Sequence, residues 1–326
     1  MKRLLACLLL AAPLFGGSAR ADEEVAVAIR YLQATGTSHA HIYLYREDGR
    51  LLRQLTRDDA GQDRDPIFSP DGEFIVFTRD LPGGAEYWKI QPVGKGLEKL
   101  HAAPSWYESA RTSPYFTDQE PEPGPGQKSS EEGEIGRRSA RFKSPDGTVE
   151  IVIRENANEE DDQIDGPGHG KHYLLRDLKT GSEVEFGSLP GFGGVYDLLH
   201  GSRDAKQHFL IEPPLRAAFF GLHLNSTDGD TCYALDLRGR RLVRLSPNWA
   251  TPILLPGEGA FATLTVRRYV PIPGSTKTAN CSVFERWNSE FERTRYAADN
   301  ASICYGASIY RPAKTPAVIL IRKDGE

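Results

Sequence analysis

An all-β fold is predicted for this chain by three observations. A strand–turn–strand unit is centred on Ser69-Pro70-Asp71-Gly72, the same turn recurs at Ser144-Pro145-Asp146-Gly147, and short β-rich runs punctuate the chain from Val25 onward. In each turn Pro presets φ, Asp bonds the local backbone, and Gly accepts a positive φ at the exit. Ile67 and Phe68 end one strand and Phe74 to Thr78 alternates back. A third strand is read at Glu86 to Ile90 and a fourth at Leu97 to Leu100. Residues 64–101 thus match one β-propeller blade, which is ~40 residues long. The whole chain reads as a β-propeller of about five four-stranded blades, with six as the alternative count.

The first of these units also carries a resemblance. Asp65-Pro66-Ile67-Phe68-Ser69-Pro70-Asp71-Gly72, Ile75-Val76-Phe77-Thr78 and Glu86-Tyr87-Trp88 resemble the WD40-like (PD40) repeat of TolB-type propellers, most closely over residues 43–101. The resemblance implies a propeller scaffold that binds a lipoprotein partner. TolB resembles a longer design with an α/β domain ahead of the propeller. Here strands begin directly after the first residues, so that domain is expected to be absent.

Residues 1–21 read as a signal peptide. Lys2 and Arg3 open it, Leu4 to Phe15 is apolar, and Ala19-Arg20-Ala21 is a small-x-small cleavage site. The apolar run is shorter than the ~20 residues that span a bilayer. A periplasmic or secreted product is expected, with no membrane span. Its removal takes away Lys2, Arg3 and Arg20 and no acid, moving the formal charge from -5 to -8. An acidic chain argues against nucleic acid as a partner, because phosphate contacts need clustered Lys and Arg. Cys232, Cys281 and Cys304 remain. In an oxidising compartment Cys281 and Cys304 are available to pair; the other reading is buried thiols.

Residues 22–326 are read as one domain. Val25 to Leu32, His41 to Tyr45 and Arg50 to Thr56 supply the strands of a blade that lacks one member. Residues 102–138, with Glu120-Pro121-Glu122-Pro123-Gly124-Pro125-Gly126, read as a flexible insertion, because proline removes ladder donors and little apolar surface is present. A second blade follows from Ala140 through Phe186, and a degraded third copy of the turn is read at Ser202-Arg203-Asp204-Ala205. Its strands are His208 to Ile211, Thr231 to Leu237 and Arg241 to Leu245. A fainter unit spans Ala260 to Val270, Ser282 to Trp287 and Phe291 to Tyr296. One of the last strands, Ser302 to Tyr310 or Ala317 to Ile321, is expected to complete the opening blade and remove its exposed edge.

No residue is read as catalytic. Asp71 and Asp146, with Ser69, Pro70, Gly72, Ser144, Pro145 and Gly147, read as structural members of the repeat turns. Asp65, on the innermost strand, is read as structural ahead of a ligand-binding role. His169 and His172 follow an acidic run and are the candidate ligands of a divalent metal; a solvated loop is the competing reading, and no cofactor is expected. Gly-x-Ser-x-Gly and P-loop patterns are both missing from the sequence. These readings predict an exported TolB-like β-propeller acting as a protein-binding or scaffold module in the cell envelope, with an envelope protein as partner. The alternative is a metal-assisted enzyme acting on a carbohydrate or peptide.

Overall fold

The computed structural model describes residues 23–111, 139–144, 146–155, 170–190, 195–196, 209–212, 215–223, 230–246, 250–255, 259–296, 301–312, 314 and 316–319. Strands dominate them. The signal peptide at 1–21 and residues 112–138 of the expected insertion lie outside the described residues. No helix among those described is long and apolar enough to cross a membrane.

The described strands form five antiparallel sheets. The first joins both ends of the chain. Its members are β1 (Glu24–Tyr31), β2 (Ala40–Arg46), β3 (Leu51–Gln54), β21 (Ser302–Tyr310) and β22 (Ala317–Ile319), in the order β22-β21-β1-β2-β3. The second runs in chain order from β4 (Gln62–Phe68) through β5 (Ile75–Leu81) and β6 (Gly84–Ile90) to β7 (Glu98–Leu100). The third holds β8 (Ser139–Lys143), β9 (Val149–Glu155), β10 (Gly170–Asp177) and β11 (Glu183–Pro190). In the fourth, β12 (Val195–Tyr196) and β13 (Phe209–Glu212) both pair with β14 (Leu215–His223), followed by β15 (Asp230–Asp236) and β16 (Arg241–Ser246). The fifth is β17 (Ala250–Leu255), β18 (Ala260–Pro271), β19 (Thr278–Trp287) and β20 (Arg293–Arg295).

Several sequence readings change here. One C-terminal strand is expected in the first sheet and both join it, so the alternative in which they form a unit of their own is not what the sheet order shows. Strands β14 and β17 were not expected. Pro213-Pro214 reads as a break ahead of β14, and Pro252 reads against a strand at β17, which occupies a sheet edge where proline is tolerated. Within the expected insertion, a helix α1 (Ser105–Arg111) forms instead of a loop. Ser105 and Glu108 have capping-box spacing, and the Pro104 carbonyl accepts from the Tyr107 and Glu108 amides. The turn read at Ser202-Arg203-Asp204-Ala205 lies outside the described residues.

Strand β1 is buried on both faces. Val25, Val27 and Ile29 face a cluster with Val283, Phe284, Tyr296, Cys304 and Ile309, which binds the first sheet to the fifth. Ala26 and Ala28 face the cluster of Phe68, Phe77 and Ile90 in the second sheet. The small residues on that side let β4 come close. A Cβ on Gly306 would lie only 3.1 Å from the Asp65 Cα, and the Phe68 amide donates to the Ser308 hydroxyl at 3.3 Å. The fourth and fifth sheets share a cluster of Leu215, Leu245, Phe261 and Trp287. Arg216 of the fourth reaches Asp146 of the third at 3.1 Å.

A buried ion pair holds the second sheet. Arg79 Nε and Nη2 donate to the two Asp63 oxygens at 2.6 and 3.1 Å, Nη1 donates to Asp58 at 3.0 Å, and the guanidinium lies 4.8 Å over the Trp88 ring. Asp63 is 0% exposed and Arg79 1%. Burial raises the Asp63 carboxyl above its ordinary range, and the Arg79 hydrogen bonds oppose that rise. Breaking such a pair leaves a charge without compensation. Asp63→Ala is expected to cost about 3–5 kcal/mol in chemical denaturation.

Candidate functional site

The repeat turns fold as local hydrogen-bond cages. At the first, the Ser69 amide donates to the Phe74 carbonyl at 2.8 Å and the Gly72 amide to the Ser69 carbonyl at 2.9 Å. The Ser69 hydroxyl donates to Asp71 Oδ1 at 2.5 Å, which also accepts from the Glu73 amide at 3.0 Å. The second copy repeats this with Ser144, Asp146 and the Thr148 amide, at 2.6 and 3.1 Å. Gly72 and Gly147 have φ of +75° and +65°. Pro145 lies outside the described residues.

One turn does more than reverse the chain. Tyr310 of the first sheet donates from its hydroxyl to the Asp71 carbonyl at 2.8 Å, and a Cβ on Gly72 would meet the Tyr310 ring at 2.2 Å. Beside this turn lies a cavity of ≈ 440 Å³ lined by Ser69, Pro70, Asp71, Phe74, Val76, Lys89, Leu100, Pro104 and Trp106. Strands β4 to β7 supply one wall, and the start of α1 supplies the other.

Helix α1 is fixed by its own buried side chain. Tyr107 packs with Ile67, Val76 and Val318, and its hydroxyl donates to the Asp65 carbonyl at 3.0 Å. Trp106 meets the Tyr107 ring edge-on at 6.1 Å. The cation in the cavity is Lys89, with its ammonium 5.0 Å from the Phe74 ring centroid and 3.0 Å from Glu98. The lining thus joins apolar walls to one cation, already paired with Glu98, and to the Asp71 carboxylate, a set that suits an apolar side chain beside a polar group.

The other sequence candidates fall elsewhere. Asp65 has φ +50° and sits where the β4–β5 register shifts, with Arg111 Nη2 3.5 Å from its carboxylate. Its carbonyl and carboxylate thus anchor α1. Cys281 and Cys304 are both buried free thiols, so the disulfide is not formed. They belong to different apolar clusters, and each thiol faces a carbonyl of its own strand, Ala279 at 3.9 Å and Gly306 at 3.8 Å. Burial pushes the Cys304 thiol up to about 12. His169 and the His172 side chain lie outside the described residues, although the His172 backbone pairs with Arg154 and Ser188. Among the described residues no three His, Cys, Asp or Glu side chains form a metal-holding group. Lys89, Leu100, Pro104 and Trp106 were not singled out by sequence; the helix-start spacing after Pro104 is the signal that points to one wall.

No family model matches the chain, and no curated protein matches it. Among solved structures it is similar to β-propeller proteins. The β-propeller domain of the Trilobed protease from Pyrococcus furiosus is 10% identical, with TM-score 0.31, over 82% of this chain and 72% of that one. A protein described as TolB from Agrobacterium tumefaciens is 9% identical, with TM-score 0.21, over 89% and 98%. Oligogalacturonate lyase in complex with manganese is 11% identical, with TM-score 0.25, over 85% and 70%. Likeness at this level does not bear on function.

The two turn glycines differ in what surrounds them, and so do the expected costs. Gly147→Ala meets only the backbone penalty of positive φ, about 1–2 kcal/mol, since nothing lies within 4 Å of its Cβ. Gly72→Ala adds the collision with Tyr310 and is expected to cost more than Gly147→Ala in urea denaturation.

Asp146 supplies a pH prediction. Its slight burial works upward, yet hydrogen bonds from Ser144 and Thr148 and the nearby Arg216 bring the carboxyl from its ordinary 3.8 to about 2. A carboxyl lowered on folding stabilises above its unfolded value and loses that contribution as pH falls through its folded one. Asp146→Asn is therefore expected to lower stability at neutral pH and to flatten the decline between pH 3.8 and about 2, read by denaturation across that window.

Proposed function

We propose that the mature chain is an exported, TolB-like β-propeller of five blades that binds a protein partner in the cell envelope. The observation that carries this reading is the cavity between the Ser69–Gly72 turn and α1. The partner presents an extended segment, placing an apolar side chain between Phe74 and Trp106 and a carboxylate that takes the place of Glu98 on Lys89. The walls are pre-formed, since Tyr310, Tyr107 and Asp65 tie the turn and α1 to their sheets. A pre-formed site spends little free energy on ordering its own side chains. The export reading rests on the leader pattern of residues 1–21.

Residues 22–326 as bait in native envelope extract, with mass spectrometry as readout, identify the partner. Affinity is then measured with the purified partner. Trp106→Ala is expected to weaken it about thirtyfold, the loss of one buried aromatic anchor. Equal affinity of the variant would remove the cavity from the reading. Turnover of a carbohydrate or peptide, with bound metal that His169→Ala and His172→Ala abolish, would replace the reading with a metal-assisted enzyme.

A further inference from the structure

Strands β18 and β19 reach beyond the rest of their sheet. β17 pairs with β18 only as far as Thr265, and β20 pairs with β19 only from Glu285 onward. Among the described residues, 266–271 and 278–282 therefore continue as a two-stranded ribbon, about 20 Å long at ~3.3 Å per residue. The ribbon has an apolar foot. Val270, Cys281 and Ala301 are buried together, with Leu32 and Ile272 packed against them. At the tip, a Cβ on Gly274 would lie 3.5 Å from the Ala34 Cβ, so the hairpin end adjoins the loop between β1 and β2.

Composition changes sharply at this end. Residues 264–284 contain Arg267, Arg268 and Lys277 and no acid; residues 29–41 contain Arg30 and no acid. The chain after residue 21 carries a formal charge of -8, reached from -5 by removing three cations. Such a local reversal is felt because charge is screened beyond about 8 Å at physiological ionic strength. Arg268 and Lys277 are exposed and make no ion pair among the described residues.

The backbone presents these groups outward. The β18–β19 register shifts between Arg267 and Val270, which places Arg268 and Tyr269 in a bulge. Bulges re-aim side chains. Tyr269 has φ +55° and is 64% exposed, the most exposed large hydrophobic residue described. A bulky residue in left-handed backbone is an outlier, and such outliers gather at working surfaces. Beside it stand the exposed Pro271 and Pro273.

We propose that the 267–277 hairpin tip is a docking surface for an anionic lipid bilayer, with Arg268 and Lys277 on headgroup phosphates and Tyr269 at the headgroup level. The tip is the end of a hairpin, and its exposed cations stand on long, separate side chains. That form suits a plane of many phosphates, which needs no fitted pocket. Tyrosine is favoured at the membrane interface because its ring is apolar and its hydroxyl stays wet. This surface is separate from the Trp106 cavity, so either reading stands without the other.

The test is vesicle flotation of residues 22–326, using phosphatidylcholine vesicles with and without phosphatidylglycerol. Association that requires phosphatidylglycerol and falls with salt is expected. Each cation near an anionic bilayer is worth roughly fivefold in partitioning, so Arg268→Gln with Lys277→Gln lowers it roughly 25-fold. Tyr269→Gly relieves the left-handed backbone, so it keeps or raises the melting temperature while weakening association. Trp106→Ala leaves vesicle association unchanged. Equal binding to both vesicle types, no binding at all, or a double variant that floats like the parent would overturn the proposal. So would capture of an acidic polypeptide through the tip without any vesicle association.

Discussion

Strand β1 is the constraint on which the remaining structure depends. It pairs with β2 on one edge and with β21 on the other, so the beginning and end of the chain share one sheet. Its two faces then set two different spacings. The Val25, Val27 and Ile29 face fills the gap to the fifth sheet with branched side chains, each worth about 1.5–3 kcal/mol when buried. The Ala26 and Ala28 face leaves room for β4 to approach within contact of Gly306. Period-two alternation of large and small residues thus fixes how far each neighbouring sheet stands from the first.

Away from that strand, three sheets repeat one electrostatic device. Asp63 is bracketed by Arg79 in the second sheet. Glu150 lies 3.6 Å from Arg141 and 3.7 Å from Arg176 in the third. Glu285 accepts from Arg295 at 2.9 Å and from Thr265 at 2.8 Å in the fifth. A buried carboxylate offers little net stability over an apolar core, because desolvation offsets the attraction. Its effect is on register, since a one-residue slip would carry the carboxylate to the opposite face of its sheet, away from its arginine.

The binding surfaces inherit their positions from this frame. The Ser69–Gly72 turn is held from outside its own sheet by Tyr310, and α1 is held by Tyr107 and by the Asp65 bulge. The cavity between them therefore depends on contacts from residues more than two hundred positions away. The 267–277 hairpin differs. Its foot is packed, its tip has no further sheet partner among the described residues, and charge rather than shape distinguishes it from the surrounding surface.

The sequence by itself determined what is local. The turns at Ser69 and Ser144 form because Asp bonds amides two residues on and Gly accepts positive φ, and both facts are properties of four adjacent residues. Strands bounded by such turns, among them β4 to β7, were legible for the same reason. Tertiary structure alone decided the rest. One C-terminal strand is expected from the sequence to close the first sheet; that both β21 and β22 join it, with β21 on the edge of β1 that β2 leaves open, was decided by pairing between segments far apart in the chain. Cys281 and Cys304 stand on strands of different sheets as buried free thiols, although the Cys304 amide bonds the Ser282 hydroxyl at 2.9 Å. Trp106 and Lys89 became neighbours of the first turn only when α1 packed against Val76 and Val318, a contact set by shape between distant segments.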